Sequence, residues 1–109
     1  MITNMYGIFD RKALCYHLPF FALNDQVAIR TVSDVVAEPN GMLGRHPGDY
    51  QLYRVGFFDD RTATVKPELP IAHVIDLLSI VQALQSEIPF PEFATTTNPG
   101  GMARVAEEA

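Results

Sequence analysis

Cysteine is nearly absent from this sequence: Cys15 is the only one, so the chain cannot close an internal disulfide. A reduced, cytoplasmic setting is the economical expectation, with Cys15 read as a small packed residue rather than a nucleophile. Long apolar runs are missing too. The longest, Ile71 to Leu84, contains His73, Asp76, Ser79 and Gln82 and is too short and polar to span a bilayer. The opening MITNMYGIFD shows neither a basic region nor a small-residue cleavage site, so no export signal is expected. Positive charge is scarce: eight Lys and Arg face 13 Asp and Glu, for a net charge of −5. That balance argues against a broad phosphate-binding field. It is uneven, however. Four of the acids, Glu87, Glu92, Glu107 and Glu108, fall in residues 87–109, which leaves residues 1–86 close to neutral.

Catalytic and metal signatures are likewise lacking. His17, His46 and His73 stand in no HExxH, CxxC or HxH spacing, and no GxSxG occurs. The glycines of NGMLGRHPG, at 41, 44 and 48, do not lead into GK[ST] and so form no P-loop. His73 and Asp76, three apart, would share a helix face, where a polar stripe on a largely buried helix is the plainer reading. The expectation is therefore a non-enzymatic protein with no catalytic residues, no metal and no cofactor.

What is present points to a small α+β domain. At 109 residues the chain suits one domain, and an apolar content of 48% is that of a globular protein. Met5–Phe9 reads as a strand, Asp10-Arg11-Lys12 as a turn and Ala13–His17 as the returning strand, closed by Pro19. Asn24 has the chemistry of an N-cap, and Asp25 suits a first helical turn. Ala28, Val32, Val35 and Val36, flanked by Ile29, then recur at helical spacing until Pro39-Asn40-Gly41. A polar linker leads to a strand at Tyr50–Phe58, with Ala63–Lys66 as its partner. Pro70 fits the start of a second helix over 71–85 whose apolar residues occupy more than one side, which suggests a subunit interface. The fold expected is ββαββα, a small antiparallel sheet with two helices on one face. Residues 1–86 form the domain, and 87–109, rich in Pro, Thr and Gly, form a mobile acidic tail.

Two stretches echo one another: GIFDRKA at 7–13 and GFFDDRTA at 56–63. A duplicated unit and a chance echo of two turns both account for this. In either case the chemistry is that of a bend, because Asp bonds nearby backbone N–H groups and Arg or Lys solvates the turn. Asp59-Asp60 is accordingly a hairpin turn rather than a catalytic pair.

The free face of such a sheet is the candidate site. Tyr6, Tyr16 and Tyr53 lie on strands, with Arg11, Lys12, Arg54, Arg61 and Lys66 on or near them. Aromatics that stack bases, interleaved with cations that hold phosphates, are what a single-strand binder requires. The plainer alternative packs the tyrosines at a core edge and leaves the cations to solvate turns.

Several stretches resemble a known family. YGIFDRKA (6–13), PFFALNDQVAIR (19–30) and HPGDYQLYRVGFFDDRTA (46–63) are similar to the small nonstructural protein of gokushoviruses, single-stranded DNA phages of the Microviridae. The matching positions are Tyr6, Ile8, Phe9 and Asp10, then Pro19 and Phe20, then Asn24, Asp25, Ala28 and Arg30. Pro47, Asp49, Tyr50, Leu52 and Tyr53 follow, with Gly56, Phe58 and Asp59 last. The resemblance implies a noncapsid protein of the host cytoplasm that binds single-stranded DNA during genome synthesis or packaging. It adds Arg30 to the candidate contacts, where pairing with Asp34 is the structural alternative. It brings no catalytic residues. The partners expected are single-stranded DNA, a second copy through helix 71–85, and a host or phage replication or packaging protein. No membrane is expected. The rival reading is a scaffolding-like interaction module working through the 71–85 surface.

Overall fold

The structure is a computed structural model that describes residues 1–86; the tail expected over 87–109 lies outside the described residues. Its strands are β1 (Ile2–Asp10), β2 (Cys15–Tyr16), β3 (Phe20–Ala22), β4 (Tyr50–Asp59) and β5 (Thr64–Asp76). Its α-helices are α1 (Asp25–Val36), the single-turn α2 (Met42–Arg45) and α3 (Leu77–Ser86). The expected α+β class with an antiparallel sheet is what the chain forms. β1 and β4 lie at the centre, β5 flanks β4, and β2 and β3 both pair with the outer edge of β1. β2 and β3 amount to one strand broken at His17-Leu18-Pro19. Pro19 has no N–H to offer a ladder, and the residue before it is restricted as well.

The helices begin for the reasons the sequence suggests. The Asn24 side chain accepts a hydrogen bond from the Val27 N–H at 3.0 Å, satisfying one of the unpaired donors of the first turn. Ala28, Val32 and Val36 are buried along one stripe of α1, whereas Val35, at the stripe's margin, stays 44% exposed. They meet Tyr6 and Ile8 of β1, Tyr50 and Leu52 of β4, Leu43 of α2, and Leu77 and Ile80 of α3 in one core. All of it lies on one face of the sheet. Full burial of a side chain such as Leu52 or Leu77 contributes about 1.5–3 kcal/mol.

Three expectations need correction. The largest concerns residues 71–76, which are strand rather than helix; α3 starts at Leu77. Ile71, Val74 and Ile75 are β-branched and suit a pleated surface as well as a helix face. What decides is β4, whose Gln51–Arg54 end would otherwise have an unpaired edge. β5 supplies the partners: Gln51 faces Asp76, Leu52 faces Ile75, Tyr53 faces His73 and Arg54 faces Ala72. Second, the polar linker contains α2 and a 3-10 turn at Pro47–Asp49. Leu43 of α2 is buried, so this segment closes the end of the core. Third, Cys15 is exposed on its short edge strand rather than packed.

The two echoing stretches fold alike. Each hairpin leaves four residues between its last paired positions, Asp10–Cys15 and Asp59–Thr64. Each ends in a left-handed residue, Leu14 at φ 58° and Ala63 at φ 57°. Asp10 Oδ1 accepts from the N–H groups of Lys12 and Ala13, and Asp59 Oδ1 accepts from that of Arg61. Asp60 instead accepts from the amino group of Met1 at 2.8 Å. The adjacent carboxylates thus face different partners, as expected of a bend.

The seating of α2 generates a test. A Cβ at Gly44 would run into the carbonyl oxygen of Val36, backbone that cannot move without unseating the end of α1. Gly44→Ala is expected to destabilise the protein by about 1–3 kcal/mol, the range for overpacking at a tight contact, as read by urea unfolding.

Candidate nucleic-acid interface

The sheet's second face carries no helix among the described residues, and side chains from four strands gather there. Phe9 of β1 stands opposite Gln51 of β4, which stands opposite Asp76 of β5. In the adjoining row Gly7 faces Tyr53, which faces His73. Tyr16 of β2 leans across Gly7, where a Cβ would lie 3.5 Å from its ring. An aromatic laid over a strand glycine covers backbone that the glycine leaves bare.

The rings form a connected series. Centroids are 4.8 Å apart for Phe9–Tyr16, 5.9 Å for Tyr16–Tyr53 and 5.4 Å for Tyr53–His73. All three pairs are tilted or edge-to-face, within the favoured range for aromatic pairs. Tyr16 is 45% exposed, and the His73 and Asp76 side chains are 46% and 49% exposed. Tyr16 and His73 are therefore about half open to solvent, whereas Phe9 and Tyr53, flanked by their ring neighbours, are only partly exposed.

A bulge makes this arrangement possible. Leu52 pairs with Ile75 but Tyr53 pairs with His73, so Val74 is an extra residue on β5. Residues three apart on a regular strand point to opposite faces; the extra residue brings His73 and Asp76 to the same one. Asp76 Oδ1 lies 2.7 Å from His73 Nε2 and accepts from Gln51 Nε2 at 3.1 Å. An ionised carboxylate only accepts, so the facing ring nitrogen carries a proton. The Asp76 carboxyl is held below its ordinary value first by the hydrogen bond from His73, then by that from Gln51, with the Arg11 charge adding to both.

Arg11 belongs to this face. Its backbone N–H donates to the Asp49 carbonyl at 2.9 Å and its guanidinium to the Gly48 carbonyl at 3.3 Å. Those bonds fix the β1–β2 turn beside the Phe9 row. Lys12, next in the turn, is exposed.

The other expected contacts are not brought here. Tyr6 is 0% exposed, packed on the helix side of the sheet and unavailable to a base. Its hydroxyl accepts from Asn4 Nδ2 at 3.0 Å and donates to Asp25 Oδ1 at 2.7 Å. Burial, followed by the Asp25 contact, pushes the Tyr6 hydroxyl up to about 12. Arg54 lies on that inner side as well. It makes a two-bonded fork with Glu68, Nε to Oε1 at 2.6 Å and NH2 to Oε2 at 2.9 Å, and NH1 donates to both Asp25 oxygens at 3.1 Å. Two carboxylates on one guanidinium leave no charge for a phosphate. Arg61 sits at the far β4–β5 turn and Lys66 on the hairpin arm leading from it, next to a pocket of about 310 Å³ lined by Ile2, Phe57 and Thr64. Arg30 is exposed on α1 and makes no ion pair with Asp34 among the described residues. Of the nine candidate contacts, then, Tyr16, Tyr53, Arg11 and Lys12 share a region. Phe9, Gln51, His73 and Asp76 join them without having been singled out as binding residues.

Residues 3–80 match the model of a family described as Phage ORF5 protein. No curated protein and no solved structure matches the chain. No helix among the described residues is long and apolar enough to cross a membrane.

The inner ion network generates a pH prediction. The Arg54 fork holds the Glu68 carboxyl below its ordinary 4.5. A depressed folded value stabilises the fold above the unfolded value, and that contribution is lost as pH falls through the lower folded one. Glu68→Gln is expected to lower stability at pH 7 and to flatten its loss below about pH 4.5, as read by denaturant midpoints across an acid series.

Proposed function

The chain belongs to the Phage ORF5 protein family, a family of bacteriophage proteins, and on that premise we propose that it binds single-stranded DNA through the helix-free face of its sheet. The observation that carries this reading is the series of rings Phe9, Tyr16, Tyr53 and His73 on that face, about half exposed at Tyr16 and His73, with Arg11 and Lys12 at its end. Unpaired bases present flat faces that stack on such rings, at about 1–3 kcal/mol per base. Duplex DNA hides those faces, so the surface suits a single strand. The likeness to the gokushovirus nonstructural protein supports the same task, during genome synthesis or packaging in the host cytoplasm and outside the virion. The short supply of cations fits a protein that holds bases more than backbone.

A second reading rests on a different surface. Leu78 and Leu84 of α3 and Val35 of α1 are 43%, 36% and 44% exposed on the helical layer. They would serve a second copy of the chain or a replication or packaging protein.

Fluorescence anisotropy with a labelled single-stranded oligonucleotide, and duplex as control, tests the first reading. Tyr16→Ala and Tyr53→Ala are each expected to weaken single-strand binding by about tenfold, the order of one stacked base. Arg11→Ala is expected to reduce the salt dependence by about one phosphate contact, whereas Arg61→Ala, at the far turn, leaves affinity unchanged. Parental affinity in both tyrosine variants would turn attention to the helical layer.

A further inference from the structure

An anion stands in the middle of this surface, where a DNA backbone would be repelled. Asp76 is half exposed beside the Tyr53–His73 pair, with His73 and Gln51 both bonded to Oδ1. Oδ2 has no partner among the described residues. Asp76 also stands immediately before α3, where a carboxylate commonly caps the first turn. Its hydrogen bonds go to the sheet residues Gln51 and His73 instead. The side chain is therefore fixed in direction, with one free acceptor oxygen beside the ring on which a base would lie.

Resting on the single-strand reading above, we infer that Asp76 reads the edge of the stacked base and selects bases that carry an exocyclic amine. The chemistry is one of donors and acceptors. Cytosine offers N4–H2, adenine N6–H2 and guanine N2–H2, whereas thymine and uracil offer carbonyl oxygens on both sides of one ring N–H. A carboxylate oxygen meets an amine with an N–H···O⁻ bond, a charge-assisted contact. Thymine or uracil offers only its ring N–H, set between two carbonyl oxygens, so a carboxylate oxygen that accepts from it is brought against a flanking acceptor. His73 and Gln51 prevent Asp76 from turning away, and both already spend a donor on Oδ1, so neither is free to offset that repulsion through the same hydrogen. The depressed titration of Asp76 keeps it an anion at neutral pH. The preferred ligand is thus an amine-bearing base, with cytosine the cleanest case, stacked on Tyr53 with its N4 toward Oδ2.

Oligodeoxycytidine and oligodeoxyuridine of equal length separate these outcomes, since neither carries the thymine methyl. In anisotropy titrations of the full chain, oligodeoxycytidine is expected to bind about tenfold tighter than oligodeoxyuridine, the order of one good base-edge contact. An oligomer of 2-pyrimidinone deoxynucleotides, which keeps the ring and lacks the amine, is expected to lose that advantage. Asp76→Asn, whose amide both donates and accepts, is expected to bring cytidine and uridine oligomers within about twofold of each other. Equal affinity for the two oligomers in the parent chain overturns the inference and leaves the single-strand reading standing. A cytidine preference that survives in Asp76→Asn also overturns it and assigns the selection elsewhere. Failure of every oligomer to bind overturns both.

Discussion

Arg54 is where the parts of this fold are tied together. Its side chain comes from the central strand β4 and reaches Asp25 in the first turn of α1 and Glu68 on β5. Tyr6 of β1 joins through the same Asp25 oxygen, and Asn4 joins through the Tyr6 hydroxyl. One partly buried guanidinium therefore sets the position of α1 on the sheet and the path of β5. Between Pro67 and Ala72 the β5 chain departs from regular pairing, and Glu68 lies within that departure. Removing either carboxylate leaves Arg54 with one partner in place of two, and loss of Asp25 also takes away the acceptor of the Tyr6 hydroxyl.

The network also separates the two faces of the sheet. Everything it holds lies on the inner side, with the core of Leu52, Leu77, Val32 and Ala28. The outer side is free to carry side chains that the core would not tolerate: partly exposed rings, a hydrogen-bonded His–Asp pair and an amide. The bulge at Val74 belongs to this division. It keeps Ile75 directed toward the core while turning both His73 and Asp76 outward. The edges are managed differently. β2 and β3 cover the outer flank of β1, and β5, at the opposite edge of the sheet beside β4, carries Pro67 and Pro70, which cannot donate to a further strand.

Much of the local structure was legible in the sequence. Asn24 signals the start of α1 because its side chain mimics the missing helical acceptor. Asp10 and Asp59 signal the two turns because a short carboxylate bonds the N–H groups that a bend leaves open. β4 is legible in its run of Tyr50 to Phe58. The candidate site was legible only in part. Tyr16, Tyr53, Arg11 and Lys12 are recognisable by type, and all are found together. Tyr6 and Arg54 have the same chemistry and look equivalent along the chain. Strand alternation decides: Tyr6 falls in step with the buried Ile8, and Arg54 with the buried Leu52 and Tyr50, so both side chains point inward. His73 and Asp76 are legible as a pair three apart, though the spacing suggested a helix and the contact is made on a bulged strand.

The sequence by itself determined the elements whose signals are local: the caps, the turns, the apolar stripe of α1 and the α+β class that their order implies. Those depend on a residue and its near neighbours, which any reading of the chain contains. Tertiary structure decided the rest. Residues 71–76 satisfy both a helical and a pleated pattern, and only the unpaired edge of β4 selects the strand. Which tyrosines meet solvent, which arginine is already neutralised, and that Phe9, Tyr53 and His73 share one surface all follow from strand register. Register places residues dozens of positions apart side by side, and a single bulge reverses the face on which a side chain appears.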